Sequence, residues 1–197
     1  MRKTFISSLV LLTILFMACE STSIIEPFQT EQKTVFEFNG GLNSSFGQGV
    51  LDIEGKAKIV QIGTDKYSLD VQIRINSKTN EETEQGSIAF RYSFESTTGI
   101  ITAGNYLVEE QNPGVIVAQG QYNLRKSENS FARYSFTGQK FLLKIDASDN
   151  EHIRGNFTIF LQQKSGERMM DGQLEIVELK SPVAAMGKFD LNVERMN

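Results

Sequence analysis

The sequence contains few of the residues on which most catalytic and metal sites depend. Among its 197 residues there is one cysteine, Cys19, one histidine, His152, and no tryptophan. A single cysteine excludes a disulfide scaffold, and one residue of each kind excludes zinc-finger arrays and most Cys/His metal sites. A hydrolase triad needs a histidine beside an activated nucleophile, and the sequence has no G-x-S-x-G segment to supply a nucleophilic serine. We therefore expect no enzyme of these classes, no metal and no cofactor.

Basic residues are also too few for a nucleic-acid-binding protein. Lys and Arg together number 20 against 24 Asp and Glu, which gives a net charge of -4 and a pI near 5.2. Proteins that bind nucleic acid usually present a basic face to the phosphates. With 40% hydrophobic and 22% charged residues, the composition is typical of a folded domain, and the length suits one core better than two.

The first 18 residues have the pattern of an export signal. Arg2 and Lys3 precede an apolar run to Ala18, shorter than the roughly 20 residues of a membrane-spanning helix. Residues 16–19 read Phe-Met-Ala-Cys and resemble a bacterial lipobox, with Phe and Met where Leu and a small residue are usual. The resemblance implies cleavage before Cys19 and lipidation of its thiol. An ordinary signal peptide cut at the same place is the alternative.

The residues after the predicted cleavage site indicate how the protein is attached to a membrane and to which membrane it is sorted. The segment 19–33 is polar, contains Pro27 and has no sustained period, so we interpret it as a tether between lipid and domain. Lipid on Cys19 would then attach the protein to the membrane. The residue after the cysteine is Glu20 rather than the Asp of the common inner-membrane retention signal, which favours the outer membrane. We expect a single β domain over 34–197.

Beyond residue 33 the sequence is dominated by alternation of apolar and polar residues, which is typical of β-strands with one buried face. The clearest runs cover 67–76, 88–95, 140–146, 156–162 and 188–194, with Leu142 and Phe160 as exceptions to the alternation. Weaker strands are predicted at 34–39, 49–53, 57–62, 105–109, 115–124, 131–137 and 173–179. Turn signals lie between them at 63–65, 112–114, 127–129, 149–150, 165–166 and 171–172.

These patterns predict an all-β fold with about ten mainly antiparallel strands and no long helix. Strands this close together can be joined only by hairpins and short loops. One apolar face can be buried by a barrel or by a barrel-like sandwich, of calycin type. Short links favour the barrel, and the polar stretch 77–85 favours the sandwich.

Aromatic residues are the most prominent candidates for a ligand site. The chain has 14 Phe and 5 Tyr, several of them on the predicted apolar faces. They either pack as core or line a cavity for an apolar ligand, as in calycins. The G-x-W segment usual in lipocalins is absent, so only the architecture is shared. The candidate lining residues are Phe90, Tyr92, Phe94, Phe141 and Phe157.

Acidic residues offer weaker candidates for chemistry. Glycoside hydrolysis needs two carboxylates across a cleft, and pairs occur at 52/54, 109/110 and 175/178. Such pairs are also usual on the solvated face of an acidic β protein, and no tryptophan is present to stack on a sugar. The acidic loop 146–151 lacks the spacing of an EF-hand, so a hairpin turn is the simpler interpretation.

Residues 130–179 resemble small Bacteroidota lipoproteins of unassigned function, through Ile-Arg-Gly-Asn-Phe at 153–157 and Asp-Gly at 171–172. The resemblance implies an exported all-β domain and no activity. Our leading hypothesis is a non-enzymatic, outer-membrane-anchored lipoprotein that serves as a binding or structural module of the cell envelope, with an envelope protein as a possible partner. A calycin-like carrier of an apolar small molecule is the alternative, and a lipid-anchored hydrolase is third.

Overall fold

Ten β-strands make up the regular structure of the described chain, which confirms the predicted all-β fold. The computed structural model describes residues 34–40, 42, 50–79, 82–109 and 116–196. Cys19 and the predicted tether lie outside these ranges. The strands are β1 (Val35–Gly40), β2 (Val50–Gly63), β3 (Lys66–Lys78), β4 (Thr83–Glu95), β5 (Gly104–Glu109), β6 (Ala118–Ser127), β7 (Ser130–Ser148), β8 (His152–Met170), β9 (Gln173–Ile176) and β10 (Val183–Met196).

The sheet closes on itself into a barrel-like ring. Hydrogen-bonded neighbours follow the order β2, β3, β4, β6, β7, β8 and β10, and β10 then pairs with β2. The β10–β2 pair is parallel, with residues 193–196 beside 57–60, whereas the other pairs of the ring are antiparallel. The predicted mainly antiparallel, barrel-like sheet of about ten strands is therefore confirmed.

Strand β10 closes the ring because both of its edges are paired. One edge pairs with β8 over residues 183–192. The other edge pairs with β1 over 183–188 and with β2 over 193–196. The last strand of the chain thus binds the first two strands to the β7–β8 hairpin.

The two short strands β5 and β9 lie beside parts of the β7–β8 hairpin. Strand β5 pairs with residues 140–145 of β7, on the same edge that pairs with β6 over 130–138. Strand β9 pairs with residues 167–170 of β8, beyond the stretch that pairs with β10. The hairpin therefore belongs to the ring along one part of its length and extends past β10 along the other, where β9 flanks it.

One hydrophobic core fills the inside of the ring. On β3 the inward residues Leu69, Val71, Ile73 and Ile75 are between 0% and 2% exposed, as the alternation of this strand predicts. Buried residues of β1, β2, β3, β4, β6, β7, β8 and β10 belong to the same cluster. Burial of a large apolar side chain contributes about 1.5–3 kcal/mol, so this cluster is the main source of stability.

Several predicted strands are continuous in the structure. The predicted strands 49–53 and 57–62 are continuous in β2 over their described residues, which begin at Val50. The predicted strand 131–137 joins 140–146 in β7 through an irregular register between Thr137 and Lys140. The polar stretch 77–85 is mostly strand, because β3 runs to Lys78 and β4 begins at Thr83. Strong cross-strand pairing thus extends strands through sequence that has no clear alternation.

The predicted turn at Ser165-Gly166 is wrong, because both residues lie inside β8. Gly166 is buried and pairs with Tyr134 of β7. A Cβ atom at Gly166 would come within 2.5 Å of the carbonyl oxygen of Val177 and within 2.9 Å of the Tyr134 ring. Glycine at this position permits a close approach of neighbouring chain segments, which is a common reason for a glycine inside a strand.

Neighbouring residues of the same type should respond very differently to truncation. Leu143 is 1% exposed and Leu142 is 47% exposed, and Phe157 at 3% compares with Phe160 at 47%. We expect Leu143→Ala and Phe157→Ala each to lower the free energy of unfolding by about 2–5 kcal/mol. Leu142→Ala and Phe160→Ala should each change it by less than about 1 kcal/mol. Urea titration of the four variants measures this, and equal losses within a pair would contradict the inward and outward assignment.

Candidate functional site

Three of the predicted ligand-lining residues lie in the packed centre of the barrel. The ring of Phe90 lies 5.2 Å from that of Phe141 and 5.2 Å from that of Phe157, centroid to centroid. Phe189 completes the group at 6.1 Å from Phe90. These are distances of direct ring contact, so the space between the rings is occupied by the rings themselves. An apolar ligand at this place would have to displace them.

The other two predicted residues, Tyr92 and Phe94, form a separate group at one end of the barrel. Their rings stack at 6.0 Å, and Tyr67 stacks on Phe94 at 5.7 Å. Tyr106 of β5 lies 5.0 Å from Tyr92. Partial burial, and to a smaller extent the neighbouring Tyr106, raises the pKa of Tyr92 above its ordinary value. The structure therefore divides the candidate set between the core and this end cluster.

Arg195 of β10 holds the loops at the same end. Its guanidinium donates to the backbone carbonyls of Asn150 at 3.0 Å, Asp149 at 3.2 Å and Gly99 at 3.3 Å. Gly99 has a positive φ of 72°, and a Cβ there would come within 2.8 Å of the guanidinium. Arg195 therefore has a structural role, because its guanidinium provides hydrogen-bond donors for the backbone carbonyls of these loops.

The acidic candidates are arranged as surface groups. Glu54 lies 3.8 Å from Arg74, Glu109 lies 2.5 Å from Lys140, and Glu175 lies 2.8 Å from Arg168. Both members of each pair are more than 40% exposed. The other members of the notional pairs are Asp52 and Glu178, which are also exposed, whereas residue 110 lies outside the described chain.

The acidic loop after β7 forms a hairpin turn. The carboxylate of Asp149 accepts hydrogen bonds from the backbone N–H groups of Glu151 and His152, both at 2.8 Å, and these bonds lower the pKa of Asp149. Asp146 lies 2.8 Å from Lys144 and accepts from the amide of Asn156. In the described ranges no group of three or more His, Cys, Asp or Glu side chains is placed to hold a metal ion.

A concave polar surface lies on the outside of β3, β4 and β6. Its residues form two cross-strand rows, because Arg74 pairs with Ser87 and Ser87 with Gln121, while Asn76 pairs with Gln85 and Gln85 with Asn123. Together these side chains line a cavity of about 340 Å³. We call the surface that they form the amide groove. It is lined by Arg74, Asn76, Gln85, Ser87, Gln121 and Asn123.

The amide groove continues over β7 and β8. Gln121 and Asn123 also line a neighbouring cavity of about 490 Å³, whose far side is formed by the β7–β8 hairpin and by Ile176 of β9. Each of the two volumes lies within the range of about 300–1,000 Å³ that is usual for ligand pockets. The remaining residues around this extension are Arg133, Tyr134, Ser135, Lys164, Ser165, Gly166 and Glu167.

Beneath the groove, a buried hydrogen bond joins the same two strands. The phenol of Tyr122 on β6 donates to the carboxylate of Glu84 on β4 at 2.7 Å, and both residues are 6% exposed. Burial, and then the bond to Glu84, strongly raises the pKa of Tyr122. Tyr122 points inward between the groove residues Gln121 and Asn123, and Glu84 points inward beside the groove residue Gln85.

A second unusual surface is apolar and lies outside β5, β7, β8 and β10. Leu107 pairs with Leu142, Leu142 with Thr158, and Thr158 with Met186, so these residues form one row across the strands. Phe160 follows Thr158 on the same face of β8. The four apolar members are between 44% and 56% exposed. This outer apolar patch consists of Leu107, Leu142, Phe160 and Met186.

The sequence contained a signal for the patch but none for the groove. Leu142 and Phe160 were the exceptions to alternation, and both are outward-facing apolar residues in the structure. The groove residues obey the alternation and are ordinary polar residues in each strand. Only the register of three strands shows that their amides lie side by side.

No family model, curated protein or solved structure matches this chain. The calycin resemblance and the resemblance to Bacteroidota lipoproteins therefore stay predictions. Within the described residues there is no helix with the length and apolar character needed to cross a membrane.

The ion pair of Asp70 and Arg91 beside the groove should give a measurable pH dependence. Arg91 donates to both carboxylate oxygens, at 2.7 and 2.9 Å, and this bond is the main reason why the pKa of Asp70 is lowered, although burial opposes it. A lowered folded-state pKa stabilises the protein above about pH 4, the ordinary carboxyl range, and this contribution is lost as the pH falls through the folded-state value. Because the pair is partly exposed, the contribution is at most about 1 kcal/mol.

We therefore expect Asp70→Asn to be less stable than the parent at pH 7 by up to about 1 kcal/mol, with the difference disappearing in acid. Denaturant titrations from pH 7 to pH 2 measure it. Glu95→Gln, on the same face of the sheet and without an ion pair in the described structure, is the control. A difference between Asp70→Asn and parent that stays constant with pH would exclude the ion pair as its source.

Proposed function

We propose that this protein is an exported lipoprotein, anchored through lipid on Cys19 in the outer membrane, that acts as a non-enzymatic binding module of the cell envelope. The N-terminal pattern supports the anchor, since a basic start and an apolar run precede a lone cysteine after Ala18. A lone thiol in an exported protein is a chemical liability unless it is modified. The Glu at position 20 supports sorting to the outer membrane.

The binding role is supported by one observation above all, the amide groove. The side-chain amides of Asn76, Gln85, Gln121 and Asn123 lie in register and, within the described part of the chain, none of them makes a hydrogen bond. A rigid sheet thus presents several ready donors and acceptors in a concave surface. The interior offers less, because Phe90, Phe141 and Phe157 pack against one another there.

The arrangement of the acidic candidates supports a binding module over a hydrolase. The carboxylates of Glu54, Glu109 and Glu175 each lie beside a basic side chain on an exposed strand surface. A glycosidase needs an acid and a base facing each other across the scissile bond. The proposed protein accordingly binds its ligand and leaves it unchanged.

The anchor is tested by Cys19→Ser in a Gram-negative host that processes lipoproteins. We expect the variant to accumulate at precursor mass and to incorporate no labelled fatty acid, because serine offers no thiol for the thioether. Mass spectrometry and fatty-acid labelling measure this, and Ser21→Ala serves as a control that keeps the cysteine. A Cys19→Ser chain that matures and partitions with membranes as before would refute the anchor.

The sorting step is tested by Glu20→Asp. We expect the substitution to move the lipoprotein from the outer-membrane to the inner-membrane fraction of a sucrose gradient, because it creates the usual retention residue after the anchor. Glu20→Gln, which removes the same carboxylate without supplying Asp, should stay in the outer membrane. A parent chain found in the inner-membrane fraction would refute the outer-membrane assignment, and a Glu20→Asp chain that stays in the outer membrane would refute the sorting role of residue 20.

A further inference from the structure

The chemistry of the amide groove indicates what it binds. A side-chain amide donates and accepts hydrogen bonds at once, and so does a hydroxyl group. Gln121 and Asn123 lie at the centre, since both line the cavity over β3 and β4 and the cavity over β7 and β8. Asn76 and Gln85 extend this row toward β3. A ligand with many hydroxyl groups would satisfy these amides in either orientation.

The charges around the groove are paired, which favours a neutral ligand. Arg74 lies 3.8 Å from Glu54, and Arg133 lies 3.3 Å from Glu167. A polyanion would have to compete with both carboxylates. Among the charged residues that line the two cavities, only Lys164 has no ion pair in the described structure.

The shape of the groove favours a chain-like ligand. The two cavities meet at Gln121 and Asn123, so the surface crosses the strands from β3 to β8. At the β8 end the wall is polar except for Ile176 of β9, which is 81% exposed. The ring of Tyr134 lies on the inner face of the sheet, where it contacts the rings of Tyr122 and Phe136, so it takes no part in the groove. The groove therefore offers polar groups along its length and one apolar side chain at its β8 end.

A peptide fits this surface less well. Extended peptides are usually bound by adding a strand to a free sheet edge or by inserting side chains into apolar pockets. The groove lies on the face of the sheet, where the backbone groups of β4 and β6 are already paired with each other and with their other neighbours. Its central lining is polar.

We propose that the amide groove binds a neutral glycan chain. The proposal rests on the binding role given above and adds the class of ligand. Gln121 and Asn123 contact its hydroxyl groups at the centre of the groove.

The test uses the full chain, purified in detergent, and titrates it with maltohexaose, cellohexaose and N-acetylchitohexaose. We expect at least one of these to bind, with a dissociation constant in the millimolar range or below. It should shift the side-chain NH₂ signals of Gln121 and Asn123 in an amide NMR spectrum. Gln121→Ala combined with Asn123→Ala should weaken binding by about tenfold or more, which corresponds to about 1.4 kcal/mol.

The matched control is Asn105→Ala combined with Gln162→Ala, which removes two exposed amides that line neither of the two cavities. It should bind as tightly as the parent, and both double variants should keep the parent's thermal unfolding temperature. Absence of binding to all three oligosaccharides at millimolar concentration would overturn the proposal, and so would equal binding by the groove variant. Tighter binding of dextran sulfate or of members of a peptide library through the same residues would also overturn it.

Anchoring and ligand class can fail separately. The same titration on the Cys19→Ser chain measures glycan binding without the lipid. Binding by that chain, together with a failed lipidation experiment, would support the groove and refute the anchor. Lipidation without glycan binding would retain the anchor and overturn the ligand class.

Discussion

The closure of the sheet through β10 is the constraint on which the other features depend. This strand joins β8 on one edge and both β1 and β2 on the other, so the beginning and end of the domain are fixed to each other. Contacts between residues so distant in sequence carry a large loop-closure entropy. They are offset by the burial of inward residues such as Phe189 and Leu191 and by the pairing of β10 with β8 over residues 183–192. Arg195 then fixes the loops at the end where β10 meets β2.

A closed ring with a packed interior leaves the outside of the barrel as the surface for the proposed binding. Stability comes from the inward residues, so the outward residues can vary with little effect on folding. The strands nevertheless hold those outward side chains at fixed spacing, which reduces the entropy lost when a ligand binds. Both unusual surfaces use this freedom. The amide groove places polar groups across β3, β4 and β6, and the outer apolar patch places Leu107, Leu142, Phe160 and Met186 across β5, β7, β8 and β10.

Alternation in the sequence predicted which residues face the core and left the pairing of strands open. The alternating run from Tyr67 to Ile75 identified the inward residues of β3 directly, because successive side chains of a strand point to opposite faces of the sheet. The joining of predicted strands in β2 and β7 was not visible. In β2, regular pairing with β3 continues through residues 54–56, where the sequence pattern is interrupted. In β7, an irregular register between Thr137 and Lys140 lets the strand continue. The parallel contact of 193–196 with 57–60 was also out of reach, because local pattern contains no information about which distant strand is a neighbour.

The groove residues share one surface only in the observed register of β4 and β6. The buried hydrogen bond between Tyr122 and Glu84 beneath the groove explains how that register is fixed. Tyr122 lies between Gln121 and Asn123, and Glu84 lies beside Gln85, so inward and outward residues alternate along the same two strands. A slip of one residue would turn the whole set over, exposing Tyr122 and burying the neighbouring amides. It would also break the 2.7 Å hydrogen bond between Tyr122 and Glu84 and leave polar groups in the core. The buried hydrogen bond between Tyr122 and Glu84 therefore favours the register in which the amides of Gln85, Gln121 and Asn123 share a surface. The groove thus follows from the hydrogen bonding of polar groups in the core.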